Sequence, residues 1–141
     1  MKVTFFGHSD APLSVAKNLR QILIKLIEIE GADEFYVGNH GVFDRMVAGV
    51  LRELKQKYPQ ISFRIVLAYM PTNNENLDLS NTIYPEGLEL VPLRFAIIRR
   101  NEWMIKNCDT VITYVTRTAG GAARFSELAH KRNKRIINLA T

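Results

Sequence analysis

The sequence is short of several things that would narrow its function. It has one cysteine, Cys108, among 141 residues. No intrachain disulfide or cysteine metal cluster can form, and a reducing, cytoplasmic setting is expected. No apolar run approaches the roughly 20 residues that span a bilayer, so no membrane partner is expected. The opening Met1 to Gly7 holds too short an apolar run for a secretory signal. Polar low-complexity tracts are absent, which excludes an extended disordered chain. The two common phosphate signatures are missing as well. Gly7-His8-Ser9-Asp10-Ala11-Pro12 lacks the G-x-G-x-x-G spacing, and no G-x-x-x-x-G-K-[ST] occurs. That argues against a dinucleotide dehydrogenase and a P-loop ATPase.

What remains is ordinary globular material, 47% hydrophobic and 23% charged. The length fits a single domain over 1–141. The net charge of +5 suits an anionic partner, although a merely soluble surface explains it equally well. The densest basic stretch, His130 to Arg135, reads as a solvated helix end, where cations are favoured.

Periodicity divides the chain into alternating elements. Val3 to Phe6 reads as a strand, followed by a helix opening at Asp10-Ala11-Pro12 and ending at Gly31. Its apolar stripe is Leu13, Ala16, Leu19, Leu23, Leu26 and Ile27. Glu34 to Val37 is a second strand. A helix with Val42, Met46, Val47, Val50, Leu51 and Leu54 follows, stopped at Tyr58-Pro59. Ile61 to Ala68 is a third strand. Met70 to Pro92, rich in Asn and Pro, reads as a long excursion with a small extra strand near Leu88 to Leu90. A helix over Leu93 to Asn107, a β-branched strand over Asp109 to Val115, a helix over Ala122 to Arg132 and a strand over Arg135 to Leu139 complete the order. Strands alternating with helices predict an α/β Rossmann-like three-layer sandwich. It has a mostly parallel sheet of about five strands with helices on both faces.

In such a sheet the βα turns share one edge, and ligands bind beyond the strand carboxyl ends. Three turns meet there: Gly7-His8-Ser9-Asp10, Gly38-Asn39-His40-Gly41 and Thr116 to Gly121. Glycine admits close backbone approach, and a helix start offers free amides to phosphate. Gly7, His8, Ser9, Gly38, Asn39, His40, Thr116, Gly120 and Gly121 are therefore the candidate ligand-binding residues, for a nucleotide-like small molecule. His8 and His40 would stack on or hydrogen-bond to a base or ribose. Turn and capping roles are the plainer explanation for both histidines, and simple turn geometry for each glycine. No third ligand stands at fixed spacing from the two histidines, so neither a metal nor another cofactor is expected. Arg99 and Arg100 read as a solvated helix face from which one could fork onto a phosphate. Glu127 by itself reads as a surface residue.

Several ordered segments together resemble the SLOG superfamily, the Rossmann-like group containing the DNA-processing A proteins and the Lonely Guy phosphoribohydrolases. They are Arg99-Arg100-Asn101-Glu102-Trp103-Met104, Cys108 to Val115, Gly120-Gly121 and Glu127-Leu128-Ala129. Phe5-Phe6-Gly7-His8 and Tyr36 to Asp44 resemble its small bacterial YpsA-like branch. The resemblance runs nearly end to end. It implies a crevice that binds or senses nucleotides or their derivatives, and a homo-oligomer. It also implies an alternative, hydrolysis of the N-glycosidic bond of nucleoside monophosphates. In that case Arg100 and Glu127 match the arginine and glutamate that Lonely Guy enzymes use. Gly120 and Gly121 match the glycine pair of the P-G-G-x-G-T-x-x-E motif, but Ala119, Ala123 and Arg124 replace its proline, later glycine and threonine. The DNA-processing relatives imply a third reading, a single-stranded nucleic-acid binder. The sequence lacks the aromatic-interleaved basic stripe that such binding uses.

Overall fold

A computed structural model of the protein describes residues 1–70 and 81–140. Six strands form one sheet: β1 (Lys2–Gly7), β2 (Glu34–Val37), β3 (Ser62–Val66), β4 (Thr82–Ile83), β5 (Thr110–Tyr114) and β6 (Arg135–Asn138). Their order is β4-β3-β2-β1-β5-β6, and every pairing is parallel. Four α-helices connect them: α1 (Val15–Glu30), α2 (Gly41–Lys57), α3 (Ala96–Lys106) and α4 (Gly121–Lys131). The expected three-layer α/β architecture is what forms.

Strand alternation sorts the side chains into two cores. Val3, Phe5, Phe35 and Ile112 pack with Leu19, Leu23, Val47 and Leu51 under α1 and α2. Phe6, Val111 and Val66 pack with Met104, Ile105, Phe125 and Ala129 under α3 and α4. Each such buried Val, Leu, Ile, Met or Phe side chain contributes about 1.5–3 kcal/mol relative to exposure. The central position of β1 explains why Val3 through Phe6 are all buried.

Several assignments differ from the sequence reading. The first helix does not open at Asp10-Ala11-Pro12 but at Val15, after Ser14. The intervening residues make tight turns instead: Ala11 N–H donates to His8 O, Val15 N–H to Pro12 O and Ala16 N–H to Leu13 O. Asp10 is drawn away by Arg117 at 3.0 Å and caps nothing. Leu88–Leu90 is a 3₁₀ turn and not a strand. Gly87 at φ 85° bends the chain, and Val91 N–H closes onto Leu88 O. The extra strand is Thr82–Ile83, two residues against the edge of β3. Residues 71–80 of the expected excursion lie outside the described residues. The helix expected over Leu93 to Asn107 begins as a second 3₁₀ turn, Leu93–Phe95, and becomes α-helical at Ala96. Gly31, at φ 74°, ends α1 as expected.

Candidate ligand-binding site

The strand order reverses between β1 and β5. The loops after these two strands therefore splay apart at the carboxyl edge of the sheet, the usual ligand position in this architecture. α2 and α4 start at this edge, and the middle of α3 reaches it from one face.

The anomaly of the site is Arg100. Ala96, Arg100, Asn101, Met104 and Ile105 form the buried stripe of α3, so an arginine occupies a core position. It is 2% exposed. Its guanidinium is held by neutral acceptors. Nη1 donates to Val66 O at 2.9 Å and to Asn39 Oδ1 at 3.2 Å, and Nε donates to Asn101 Oδ1 at 2.7 Å. Nη2 lies 3.4 Å from His40 Nδ1. No carboxylate lies within ion-pair distance of it among the described residues. Burial pulls its pKa down while the field of Asp44 pulls it back up, yet a guanidinium stays protonated at any ordinary pH. A buried charge with no ion pair among the described residues is costly, and its neutral hydrogen bonds and the field of Asp44 only partly offset that cost.

Asp44 and His40 complete the surroundings of that charge. His40 sits at the start of α2 in extended conformation, and its backbone N–H donates to Asp44 Oδ2 at 2.9 Å. Burial raises the Asp44 carboxyl to about 6, against the opposing pull of the His40 N–H, Arg100 and Arg45. Burial, and then Arg100, hold the His40 imidazole below its ordinary pKa. The His40 ring meets Tyr69 edge to face, with centroids 6.0 Å apart.

The glycine-bearing turns are not equivalent. A Cβ on Gly7 would fall 2.3 Å from the ring of Phe43, and one on Gly38 would fall 2.7 Å from Asp44 Oδ2 and 3.2 Å from the Arg100 guanidinium. Both positions are already filled by the protein. Gly41, at φ 93°, backs onto Ser9, whose carbonyl accepts the Val42 N–H at 3.2 Å. By contrast, among the described residues nothing lies within 4 Å of a Cβ on Gly120 or Gly121. Gly120 has φ 100°, and no side chain caps the helix that starts after it. The first amides of α4 therefore have no intrahelical partner.

A cavity of about 130 Å³ joins these features. Its lining includes Gly7, His40, Asp44, Arg100, Gly121 and Ala122. A second cavity, of about 570 Å³, lies beside it and includes Thr118, Gly120, Arg124 and Glu127. The two share Ile97, Asn101, Gly121 and Phe125 as a common wall. They are an inner and an outer compartment of one cleft at the start of α4.

Arg100, Gly7, His40 and Gly121 thus face the inner compartment, and Gly120, Gly121 and Glu127 the outer one. Arg100 and Glu127 do not share a compartment. Glu127 is exposed, with its carboxylate 3.6 Å from Lys131 Nζ. His8, Ser9, Gly38, Asn39 and Thr116 line neither compartment and have internal work. His8 is buried, and its Nε2 accepts the Thr116 N–H at 3.0 Å. That bond places the ring proton on Nδ1. Burial, and then Arg117, lower its pKa, with Asp10 opposing. Sequence reasoning did not single out Asp44 or Asn101 as parts of the site. The available signal was the position of Arg100 and Asn101 within the apolar stripe of α3. Among the described residues no group of three His, Cys, Asp or Glu side chains could hold a metal ion, and no helix is long and apolar enough to cross a membrane.

This arrangement of strands and helices is similar to that of a solved structure. It is DNA processing protein A from Streptococcus pneumoniae, with a TM-score of 0.69 and 18% identity. The fold is DprA-like. The match covers 96% of this chain and 48% of the other, so this chain spans about half the length of that protein. No family model matches the sequence, and no curated protein is significantly similar to it.

Proposed function

We propose that the chain binds a nucleotide or nucleotide derivative in the cleft at the start of α4. The observation that carries this reading is Arg100. It is a buried, permanently charged side chain with no carboxylate at ion-pair distance among the described residues, on a cavity that the uncapped start of α4 also lines. Two independent sources of positive potential, guanidinium and helix terminus, converge on one small space. An anion placed there adds to the field of Asp44, the carboxylate among the described residues that acts on this guanidinium. The wall of Ile97, Ile98 and Phe125 offers an apolar surface to the rest of such a ligand. This reading agrees with the SLOG resemblance and with its YpsA-like branch. It also takes the protein to be cytoplasmic, which cell fractionation checks, and self-associating, which sedimentation of the purified chain checks. The decisive test is calorimetry against a panel of nucleoside mono- and diphosphates, ADP-ribose derivatives and cyclic dinucleotides. At least one should bind with micromolar affinity and lose it in Arg100→Met. A folded sample that binds none of them refutes the reading.

A second reading is phosphoribohydrolase activity. It is favoured by one observation: the compartments of Arg100 and Glu127 share a wall, so a ligand spanning both would meet both residues. Glu127 would then act on the ribose or on water. Release of free base, lost in Glu127→Ala, supports it; equal rates refute the assignment. The name of the DNA processing relative motivates a third, single-stranded DNA. A gel shift that weakens steeply with salt would favour it.

A further inference from the structure

We propose that the protein has a second ligand site, outside the cleft, which takes a small molecule carrying one carboxylate on an apolar body. The site is a cavity of about 330 Å³ between α3, the end of α4 and the turns at 85–91. It shares no residue with either compartment of the cleft. Pockets for small ligands run to roughly 300–1,000 Å³, so one compact molecule fits.

One wall is a built feature that the cleft does not use. Residues 85–91 belong to the long excursion, the kind of segment that is often functional. They fold as consecutive turns: Leu88 N–H donates to Pro85 O at 3.2 Å, Leu90 N–H to Gly87 O at 3.0 Å and Val91 N–H to Leu88 O at 3.0 Å. The turns set the buried Leu88 and the half-buried Val91 into the lining. The facing wall is a stripe of α3, where Arg99, Glu102, Trp103 and Lys106 recur at helical spacing. Leu128 and Arg132, four residues apart at the end of α4, form the third side. Trp103 is partly buried, and Tyr36 meets its ring edge on with centroids 5.3 Å apart. The fold thus holds the indole in place on the cavity. Among the described residues nothing accepts its N–H.

Charge narrows the ligand. Among the described residues, none of Arg99, Lys106 and Arg132 has a carboxylate within ion-pair distance. Lys106 and Arg132 stand at helix ends, where cations are favoured in any case. Arg99 stands in the first half of α3, where the dipole favours anions, so the helix gives no reason for it. Glu86 and Glu102 are the carboxylates of the lining. Three cations against two carboxylates leave one positive charge, which suits a monoanion. A phosphate monoester, with about −1.5 to −2 charges at pH 7, would meet both glutamates. A carboxylate accepts from a guanidinium fork and from an indole N–H. Leu88, Val91, Trp103 and Leu128 offer a hydrocarbon body a surface away from water.

The chain has one tryptophan, and it is Trp103, so its fluorescence reports on this cavity. The experiment follows that emission, and calorimetric heat, as the full chain is titrated with phenylacetate, phenylbutyrate, hexanoate and octanoate and with their primary amides. We expect at least one acid to change the emission and to bind at least tenfold more tightly than its amide, the effect of one charge-assisted hydrogen bond. Arg99→Gln and Arg132→Gln, both at exposed positions, should fold like the parent and each weaken that acid at least fivefold. Arg52→Gln, exposed on α2 across the sheet, makes the same change in net charge and should leave the affinity as it was. An amide that binds as tightly as its acid overturns the proposal, as does binding of none of the acids. So does unchanged affinity in both Arg99→Gln and Arg132→Gln, or an equal loss in Arg52→Gln. Displacement of the acid by a nucleotide would put it in the cleft and overturn the proposal too, while leaving the nucleotide reading standing.

Discussion

The turn after β2 and the turn before α4 use the same residue type for opposite ends. At Gly38 the missing side chain makes room for groups of the protein itself, the Asp44 carboxyl and the Arg100 guanidinium. At Gly120 and Gly121 the missing side chains leave space that no described residue fills. Gly7 belongs with the first kind, since the Phe43 ring occupies its place. The comparison separates glycine as a packing device from glycine as an opening. One set of turns tightens the edge around a buried charge, and the other keeps a path to it.

Four measurements sharpen or break this contrast. The largest effect belongs to the charge that the packed turns enclose. Arg100→Met should weaken nucleotide binding by about tenfold to 150-fold, the worth of a charge-assisted hydrogen bond of about 1.5–3 kcal/mol, read by calorimetry. Next come the glycines themselves. Gly7→Ala drives a methyl into Phe43 and should cost about 1–3 kcal/mol by denaturant unfolding, while Gly121→Ala, in open space at a helix start, should be neutral or slightly stabilising. Equal losses at the two sites would erase the distinction.

The third measurement concerns Asp44. Its folded pKa, about 6, stands above the ordinary value of 3.8. The folded state therefore takes up a proton more readily than the unfolded chain, and stability falls as pH rises from about 4 to 6. Above that range the charged carboxyl is held in a poorly solvated place. Asp44→Asn keeps an acceptor for the His40 N–H and removes the charge. It should raise Tm by a few degrees at pH 7.5 and leave it unchanged at pH 3.5, followed by calorimetric scanning. The smallest effect is expected where the loops around the open turn meet in solvent. Asp10 and Arg117 form an ion pair with both side chains largely exposed, and such pairs contribute little. Asp10→Asn should leave Tm unchanged within error.

Much of the fold was legible because periodicity follows burial. The five main strands and four helices stand where alternation and the helical stripe put them. The failures have local causes. Asp10 and Pro12 carry the residue types of a helix start, but Arg117, more than a hundred residues downstream, takes the carboxylate, and the segment closes into turns. Leu88 to Leu90 has strand-like residues, but Gly87 at φ 85° sets the turn. The site was legible in part. The glycine pair before α4 stood out, and so did Arg100, but only by resemblance. Residue type argued for a solvated Arg100 while its position among Ala96, Met104 and Ile105 argued for burial, and position prevailed. Asn101 had only its place in the apolar stripe of α3, and Asp44 gave no signal, because their meeting depends on how α2 and α3 approach the same strand ends. His8 read as a ligand contact, and the structure gives its acceptor nitrogen to Thr116.

The pairing of β1 with both β2 and β5 has a consequence for how the protein is made. Val3 lies beside Phe35 on one side and Thr110 on the other. During synthesis, the first strand can find its early neighbour long before its late one exists. Until residues 110–114 emerge, one edge of β1 is an unpaired template, open to the wrong partner. The cleft has the same dependence, since Arg100 is held by Asn39 and Val66 while the helix start opposite comes from Gly121. The cleft and the second paired edge of β1 therefore both exist only once residues as late as 110–121 have joined the strands made first.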